Sequence, residues 1–426
     1  MRKKNYLIVW FVLSLLFPTS IFAWGPATHA YFADQLGKSW GYLNWQEMYG
    51  SLAPDMFNPF TGSPYFNYLR LQTHEQFNKV VNHAKIKGLK AFAYGFTSHN
   101  DVWGADFTAH HDGRTTPGIG YVTAQINALT PAFQDSIEQV LLDNNIDPVQ
   151  AKEIAAEFAP LVAHGVVEVA IDMLVKRNED SKIGKRILQA AQFRSPAVPS
   201  LLVAAYAADF AEEFNLNFVV ATATIVGAEK AFKEFISYYG YIFTKKESEI
   251  IQLLSIYGAE LAELYVKAVK GLDINVPSKA VADLFALAIV QVESSYIAEI
   301  AATLAYLEHE LPLHGIRSQS QPIALQTESE NETALTTVPQ KFSLAQNQPN
   351  PFNPITTINY SLAKDSHVKI TVYNTLGQEV AVLMEGYQSK GFHSVTWDAQ
   401  QQPGGVYIYR LDADGFTASN KMFLQK

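Results

Sequence analysis

The rhythm of polar and apolar positions changes three times along this chain of 426 residues. Arg2, Lys3 and Lys4 precede an apolar core from Leu7 to Phe17, and Ile21-Phe22-Ala23 offers a small-residue cleavage site. That is the pattern of a secretory leader over residues 1–23, too short to span a bilayer. No later stretch reaches about 18 uninterrupted apolar residues, so no transmembrane segment is expected in the mature chain. From residue 24 to 314 the apolar positions recur at helical spacing, in Leu-, Ala- and Ile-rich segments with scattered Lys and Glu. Breaks fall at Arg194-Ser195-Pro196, Asn215, Gly240 and Asn275-Val276-Pro277. Residues 315–341 are rich in Ser, Gln, Thr, Glu and Pro and poor in large apolar side chains, which predicts a linker that buries no core. After residue 342 the period becomes two: TTINYSL, HVKITVYN, EVAVLM, HSVTW, GVYIYRL and KMFLQK. Asn350-Pro351, Leu376-Gly377, Lys390-Gly391 and Pro403-Gly404 separate these runs. Short strands at that spacing predict a small β-sandwich over 342–426. The expected fold is therefore multidomain, all-α over 24–314 and all-β at the end.

Composition changes this picture at two points. There is no cysteine, so disulfides and thiolate metal sites are excluded; any metal must use His, Asp, Glu or backbone groups. With the leader removed, 29 basic residues face 41 acidic ones, a net charge of −12. That is a poor balance for a chain that must neutralise phosphates along a polynucleotide, so no stable nucleic-acid partner is expected.

Chemistry concentrates in residues 94–112, YGFTSHNDVWGADFTAHHD. His99, Asp106 and His110 stand at i, i+7 and i+11, one face of a continuous helix. Two imidazoles and a carboxylate in an otherwise apolar stretch are a donor set for zinc; a solvated polar face with chance histidines is the bland alternative. Asp101 is nearer to His99 but points away from it on a helix, and Trp103 at i+4 cannot ligate. Other candidates lie on either side. Cleavage after Ala23 would leave Trp24 with a free amine, five residues before His29. Asp55 follows Pro54 and suits a turn or helix cap as well as a catalytic role. Of His74 and His83, His74 is preferred, because His83 sits among Lys79, Lys85 and Lys87. His164 and Glu168 stand at i, i+4 on an apolar helix, where a metal or a mutual hydrogen bond would satisfy both.

Two resemblances follow. AQNQPNPFNPITTINYSL, VKITVYNTLGQEVAVLMEG, KGFHSVTWDAQQQPGGVYIYRL and the final KMFLQK resemble the C-terminal sorting domain of the type IX secretion system across nearly all of 342–426. This implies an Ig-like sandwich read by outer-membrane export machinery, with release or display at the cell surface. Residues 24–170 are similar to the zinc-dependent phospholipase C family and its relatives, the single-strand-specific zinc nucleases. The similarity runs in order through Trp24, Thr28-His29, Pro54-Asp55, His74, His99, Asp106, His110 or His111, and His164 with Glu168. In that family the N-terminal tryptophan binds zinc through its amino and carbonyl groups. Its central His and Asp are four residues apart, against seven here, so Asp106 is assigned as the bridging carboxylate after a small insertion. The resemblance implies two or three zinc ions, Asp55 as the group that orients or deprotonates water, and hydrolysis of a phosphodiester. A phospholipid headgroup ester is the first expectation. A single-strand-specific nuclease and a non-catalytic, zinc-stabilised surface protein are the alternatives.

Overall fold

A computed structural model describes residues 24–37, 41–60, 63–319, 342–344, 346–347, 350–375, 377–388 and 390–425. The expected leader and positions 320–341 lie outside those residues. The chain forms two compact units, Met1–Gln326 and Thr327–Lys426.

The first unit is helical. Its early part contains α1 (Pro26–Gly37), α2 (Tyr42–Leu52), a 3-10 stretch (Ala53–Phe60), α3 (Phe66–His74), α4 (Asn78–His83), α5 (Lys87–His99) and α6 (Ala105–His110). Two long antiparallel neighbours follow, α7 (Tyr121–Asp143) and α8 (Pro148–Leu174). Then come α9 (Ile183–Phe193), α10 (Val198–Glu213), α11 (Phe218–Ile242), α12 (Glu247–Lys270), α13 (Ser278–Glu293) and α14 (Tyr296–Leu313). Local chemistry sets several ends. Asp147 caps α8, its Oδ1 accepting from Val149 N at 3.0 Å, with Pro148 at the first helical position. Gly271, at φ 70°, closes α12 in the left-handed conformation.

The closest packing is between α2 and α5. A Cβ on Gly95 would lie 1.7 Å from Glu47 O, and one on Gly50 would lie 2.1 Å from Phe92 O. The two helices therefore meet backbone to backbone, and only glycine permits it. This contact carries the end of α5 up against Ser51. Pro148–Glu179 is long and apolar enough, by mean hydropathy, to cross a membrane. It is mostly buried inside the bundle and carries His164, Glu168 and Asp172, which is how a core helix reads. Residues 315–319, assigned by composition to the linker, pack on the helical unit: Ser318 Oγ and Gln319 N donate to the buried Glu47 at 2.8 and 2.6 Å.

The second unit is a small antiparallel β-sandwich. One sheet has the order β1 (Ser343–Leu344), β2 (Ile355–Leu362), β5 (Gly391–Asp398). The other runs β4 (Glu379–Gln388), β3 (Ser366–Asn374), β6 (Gly405–Ala413), β7 (Phe416–Leu424). Val372 pairs with Tyr409 and Tyr407 with Met422, which places alternate apolar residues on one face. Ile358, Val372, Trp397, Tyr407, Tyr409 and Met422 fill the space between the sheets. The period-two runs of the sequence are these strands.

Candidate metal centre

The continuous helix expected across residues 94–112 does not form. α5 ends at His99, and Asn100 turns the chain: its Oδ1 accepts from the backbone N–H of Val102, Trp103 and Gly104 at 2.9, 2.9 and 3.2 Å. An Asn side chain competing for backbone donors is what stops the helix. Gly104 completes the turn, since a Cβ there would lie 2.5 Å from Asn100 O. α6 then restarts with Asp106 in its first turn. The break matters for chemistry. In one helix, seven residues would separate His99 and Asp106 by about 10 Å. Across the turn, His99 Nε2 lies 3.0 Å from Asp106 Oδ2.

Asp106 is the centre of a buried group. His29 on α1 brings Nε2 to 3.1 Å from Asp106 Oδ1, with its ring stacked on His99 at 4.1 Å. His74, the last residue of α3, places Nε2 at 3.7 Å from Asp106 Oδ2 and 3.3 Å from His99 Nε2. Asp55, in the 3-10 stretch, has Oδ1 at 3.5 Å from His74 Nε2 and Oδ2 at 3.9 Å from His99 Nε2. His29, His99 and Asp106 form one compact donor triplet, and Asp55, His74 and His99 another.

The outer contacts orient these rings. His99 Nδ1 faces Ser51 O at 2.8 Å, and His74 Nδ1 faces Arg70 O at 3.0 Å. With Nδ1 turned to a carbonyl, each ring points Nε2 inward, the nitrogen that would be left to ligate a metal once its proton is lost. The glycine-mediated contact of α2 with α5 is what puts Ser51 O there.

A second group sits beside the first. His164 Nε2 and Glu168 Oε1 on α8 are 2.8 Å apart, and the His110 ring lies 5.4 Å from that of His164. His110 turns Nδ1 toward Asp101 Oδ1 at 3.8 Å. His111 belongs elsewhere: about half its side chain is exposed, and it reaches Asp101 from outside at 3.1 Å. Asp101 thus holds both histidines and Arg70, whose guanidinium is 3.3 Å from Asp101 Oδ2. Reading 94–112 as one helix hid this role for Asp101.

Trp24 is fully buried. Its indole Nε1 donates to Ala105 O at 2.9 Å and lies 3.2 Å from Thr108 Oγ1, and its ring stacks on Tyr121 at 5.7 Å. The side chain therefore anchors the start of α1 against the residue preceding Asp106.

Charge and burial conflict throughout the centre. His99 is pushed down by burial, but Asp106 and Asp55 outweigh this and hold it up at about 9. Burial raises the Asp106 carboxyl, yet His99 and His29 pull it well below the usual range. Burial and the neighbouring His99 lower His29, and burial lowers His110. Burial raises Glu168 to about 7 against the pull of His164, with Asp55 adding to the rise. Several polar atoms have no hydrogen-bond partner of good geometry despite this crowding: His29 Nε2, both Asp106 oxygens, His110 Nε2 and Glu168 Oε1. Buried donors of that kind are costly unless a cation satisfies them together. Imidazole and carboxylate donors, without thiolate, fit zinc.

Exposure falls with depth. Asp55, His110 and His164 keep 9, 13 and 10% of their side-chain surface, while His99 and Asp106 keep none. The group of His110, His164 and Glu168 therefore forms the rim, and the group around Asp106 lies deep, with Asp55 more exposed than His99 or Asp106.

Residues 348–425 match the secretion system C-terminal sorting domain. The chain ends in a type IX sorting domain. Its tail implies contact with the type IX machinery and export across the outer membrane, into the medium or onto the cell surface. Among curated proteins, none matches the chain.

Proposed function

We propose that the helical unit is a zinc-dependent phosphodiesterase of the phospholipase C type. The observation that carries this reading is the pair of adjacent buried donor groups that hold polar atoms without a good hydrogen-bond partner. His29 and Asp106, with the amine of a processed Trp24, would hold one ion. Asp55, His74, His99 and the shared Asp106 would hold a second, and His110, His164 and Glu168 a third. When bound, such ions supply Lewis acidity toward phosphoryl oxygens and acidify water. The resemblance implies a role for Asp55 with water; its place in a donor triplet would add a second, as a ligand.

The protein's own groups divide the remaining work. Asn58 Nδ2 donates to Asp55 Oδ1 at 3.1 Å, which fixes that carboxylate and leaves Oδ2 as the proton acceptor. Hydrolysis adds the oxygen of water to phosphorus and breaks one phosphorus–oxygen ester bond. The proton taken by Asp55 is returned to the departing alcohol, and a phosphomonoester remains. The net charge of −12 disfavours an extended polyanion as substrate and favours a phospholipid headgroup ester.

The test is metal content measured alongside hydrolysis of phosphatidylcholine vesicles and of single-stranded DNA by the mature chain. Two or three zinc ions with cleavage of the lipid are expected. Cleavage of DNA alone would move the assignment to a nuclease. Zinc without turnover of either would leave a structural metal core. Deletion of 342–426 is expected to strand a folded helical unit in the periplasm, and its continued appearance in the medium through an intact outer membrane would overturn the sorting role.

A further inference from the structure

One buried carboxylate on α8 takes no part in the donor groups. His164, Glu168 and Asp172 stand at i, i+4 and i+8, so they share one face of the helix. Asp172 has no exposed surface. Its Oδ2 accepts from Ala27 N at 2.7 Å and Tyr239 Oη at 2.5 Å. Its Oδ1 accepts from Thr28 N at 2.7 Å and Thr28 Oγ1 at 2.6 Å. A carboxylate offers about four acceptor positions, and all four are taken, so Asp172 is not free to ligate a metal.

Ala27 and Thr28 lie in the first turn of α1, where backbone N–H groups have no partner within the helix. A local Ser, Thr, Asp or Asn ordinarily caps such a turn, but the residues before Ala27 are Gly25 and Pro26. Asp172 does this from 145 positions away. The fit is tight: a Cβ on Gly25 would lie 2.5 Å from Asp172 Oδ2. The next residue after Thr28 is His29, whose Nε2 faces Asp106.

We infer that Asp172 is a positioning residue: by capping α1 from α8 it sets the His29 imidazole against Asp106 and so completes the deepest donor triplet. Rotation or fraying of the first turn of α1 would move His29 and leave the contacts of His164 with Glu168 in place. One helix then carries two donors of the rim group and the anchor of the deep one. This inference rests on the proposed metal centre.

The test is zinc titration of the full mature chain after chelator treatment, followed by calorimetry. His29→Ala identifies the binding event that depends on α1. Asp172→Asn replaces one acceptor oxygen by an amide that confronts an N–H, and is expected to weaken that same event about tenfold, the usual cost of removing an outer-shell support. Binding that depends on His164 should stay within about twofold. The double variant should bind no more weakly than His29→Ala alone, because both changes act through one imidazole. Tyr239→Phe removes a single donor and leaves the carboxylate paired; it should shift the same event in the same direction by less, and serves if Asp172→Asn does not fold. Equal weakening of all events, or an additive double variant, would overturn the role of Asp172. Failure of the unaltered chain to bind zinc at all would instead overturn the metal centre, and this inference with it.

Discussion

The deep and rim donor groups are built in opposite ways. The rim pair, His164 and Glu168, comes from one helix at i, i+4, and only His110 must be brought to it. The deep group draws His29, Asp55, His74, His99 and Asp106 from five separate elements. A pair on one helix survives small shifts of its neighbours. A set assembled across the bundle depends on every contact that fixes one helix against another. The two groups should therefore respond differently to the same disturbance.

The largest effect is expected at Asp106, which faces His29, His74 and His99. Asp106→Ala leaves those imidazoles without their shared carboxylate. Breaking a buried ionic contact in this way costs about 3–5 kcal/mol. Zinc bound by the deep group should vanish and hydrolysis with it, while zinc dependent on His164 remains. Retention of the full zinc complement would remove Asp106 from the centre.

Asp55→Asn comes next. Loss of the proton acceptor should lower phosphodiester hydrolysis by about 10²–10⁴-fold. Zinc affinity of the deep group should also fall, because Asp55 belongs to a donor triplet. Unchanged hydrolysis would leave the proposed mechanism without its base.

Gly95→Ala disturbs the framework and no ligand. The new methyl would lie 1.7 Å from Glu47 O, so α2 and α5 must separate. A loss of about 3 kcal/mol in thermal or denaturant unfolding is expected, at the upper end for overpacking. Ser51 O would withdraw from His99, and zinc loss should be confined to the deep group. Equal loss from both groups would blur the distinction between them.

The effect of pH should appear in the metal-free chain. His99 is held up to about 9 from an ordinary 6.5, so its contribution to stability is fully present below pH 6.5 and lost as pH rises through 9. Glu168 is raised from 4.5 to about 7, and its contribution is likewise lost as pH rises through 7. Metal-free protein should melt lower at pH 9 than at pH 6. Zinc should release protons on binding at pH 7, since it displaces the one on His99. A melting temperature that rises over this range after chelation would contradict the assigned charge states.

The smallest effect separates two adjacent histidines. His111→Ala should change stability by less than about 0.5 kcal/mol and leave zinc intact, as expected for an exposed side chain. His110→Ala should weaken the ion held with His164. Reversed outcomes would exchange the two residues.

Much of the fold was legible because it follows from local periodicity. The helical run to 314 and the period-two strands after 342 each state which face must be buried, and burial of that face is what forms the element. The ends were less legible: residues 315–319 read as linker by composition, yet a buried Glu47 recruits Ser318 and Gln319. At the centre, the donor types were visible, but residues 94–112 carried two signals. Their spacing suggested one helix, while Asn100 and Gly104 marked a turn. Asp172 was visible as an acid on an apolar helix, one turn beyond Glu168, but nothing local announced its partner.

The sequence alone determined the donor chemistry of the helical unit, the exclusion of thiolate sites and the sorting domain at its end, because residue type and short-range spacing carry those properties. Only the tertiary structure decided which donors meet. It folded His99 back onto Asp106, set the His110 ring beside His164 while His111 stayed half exposed, and joined Asp172 to the start of α1. Each of these depends on close approach between segments distant in the chain. Such an approach is set by glycine contacts, helix ends and buried hydrogen bonds acting together, and no local stretch of residues contains it.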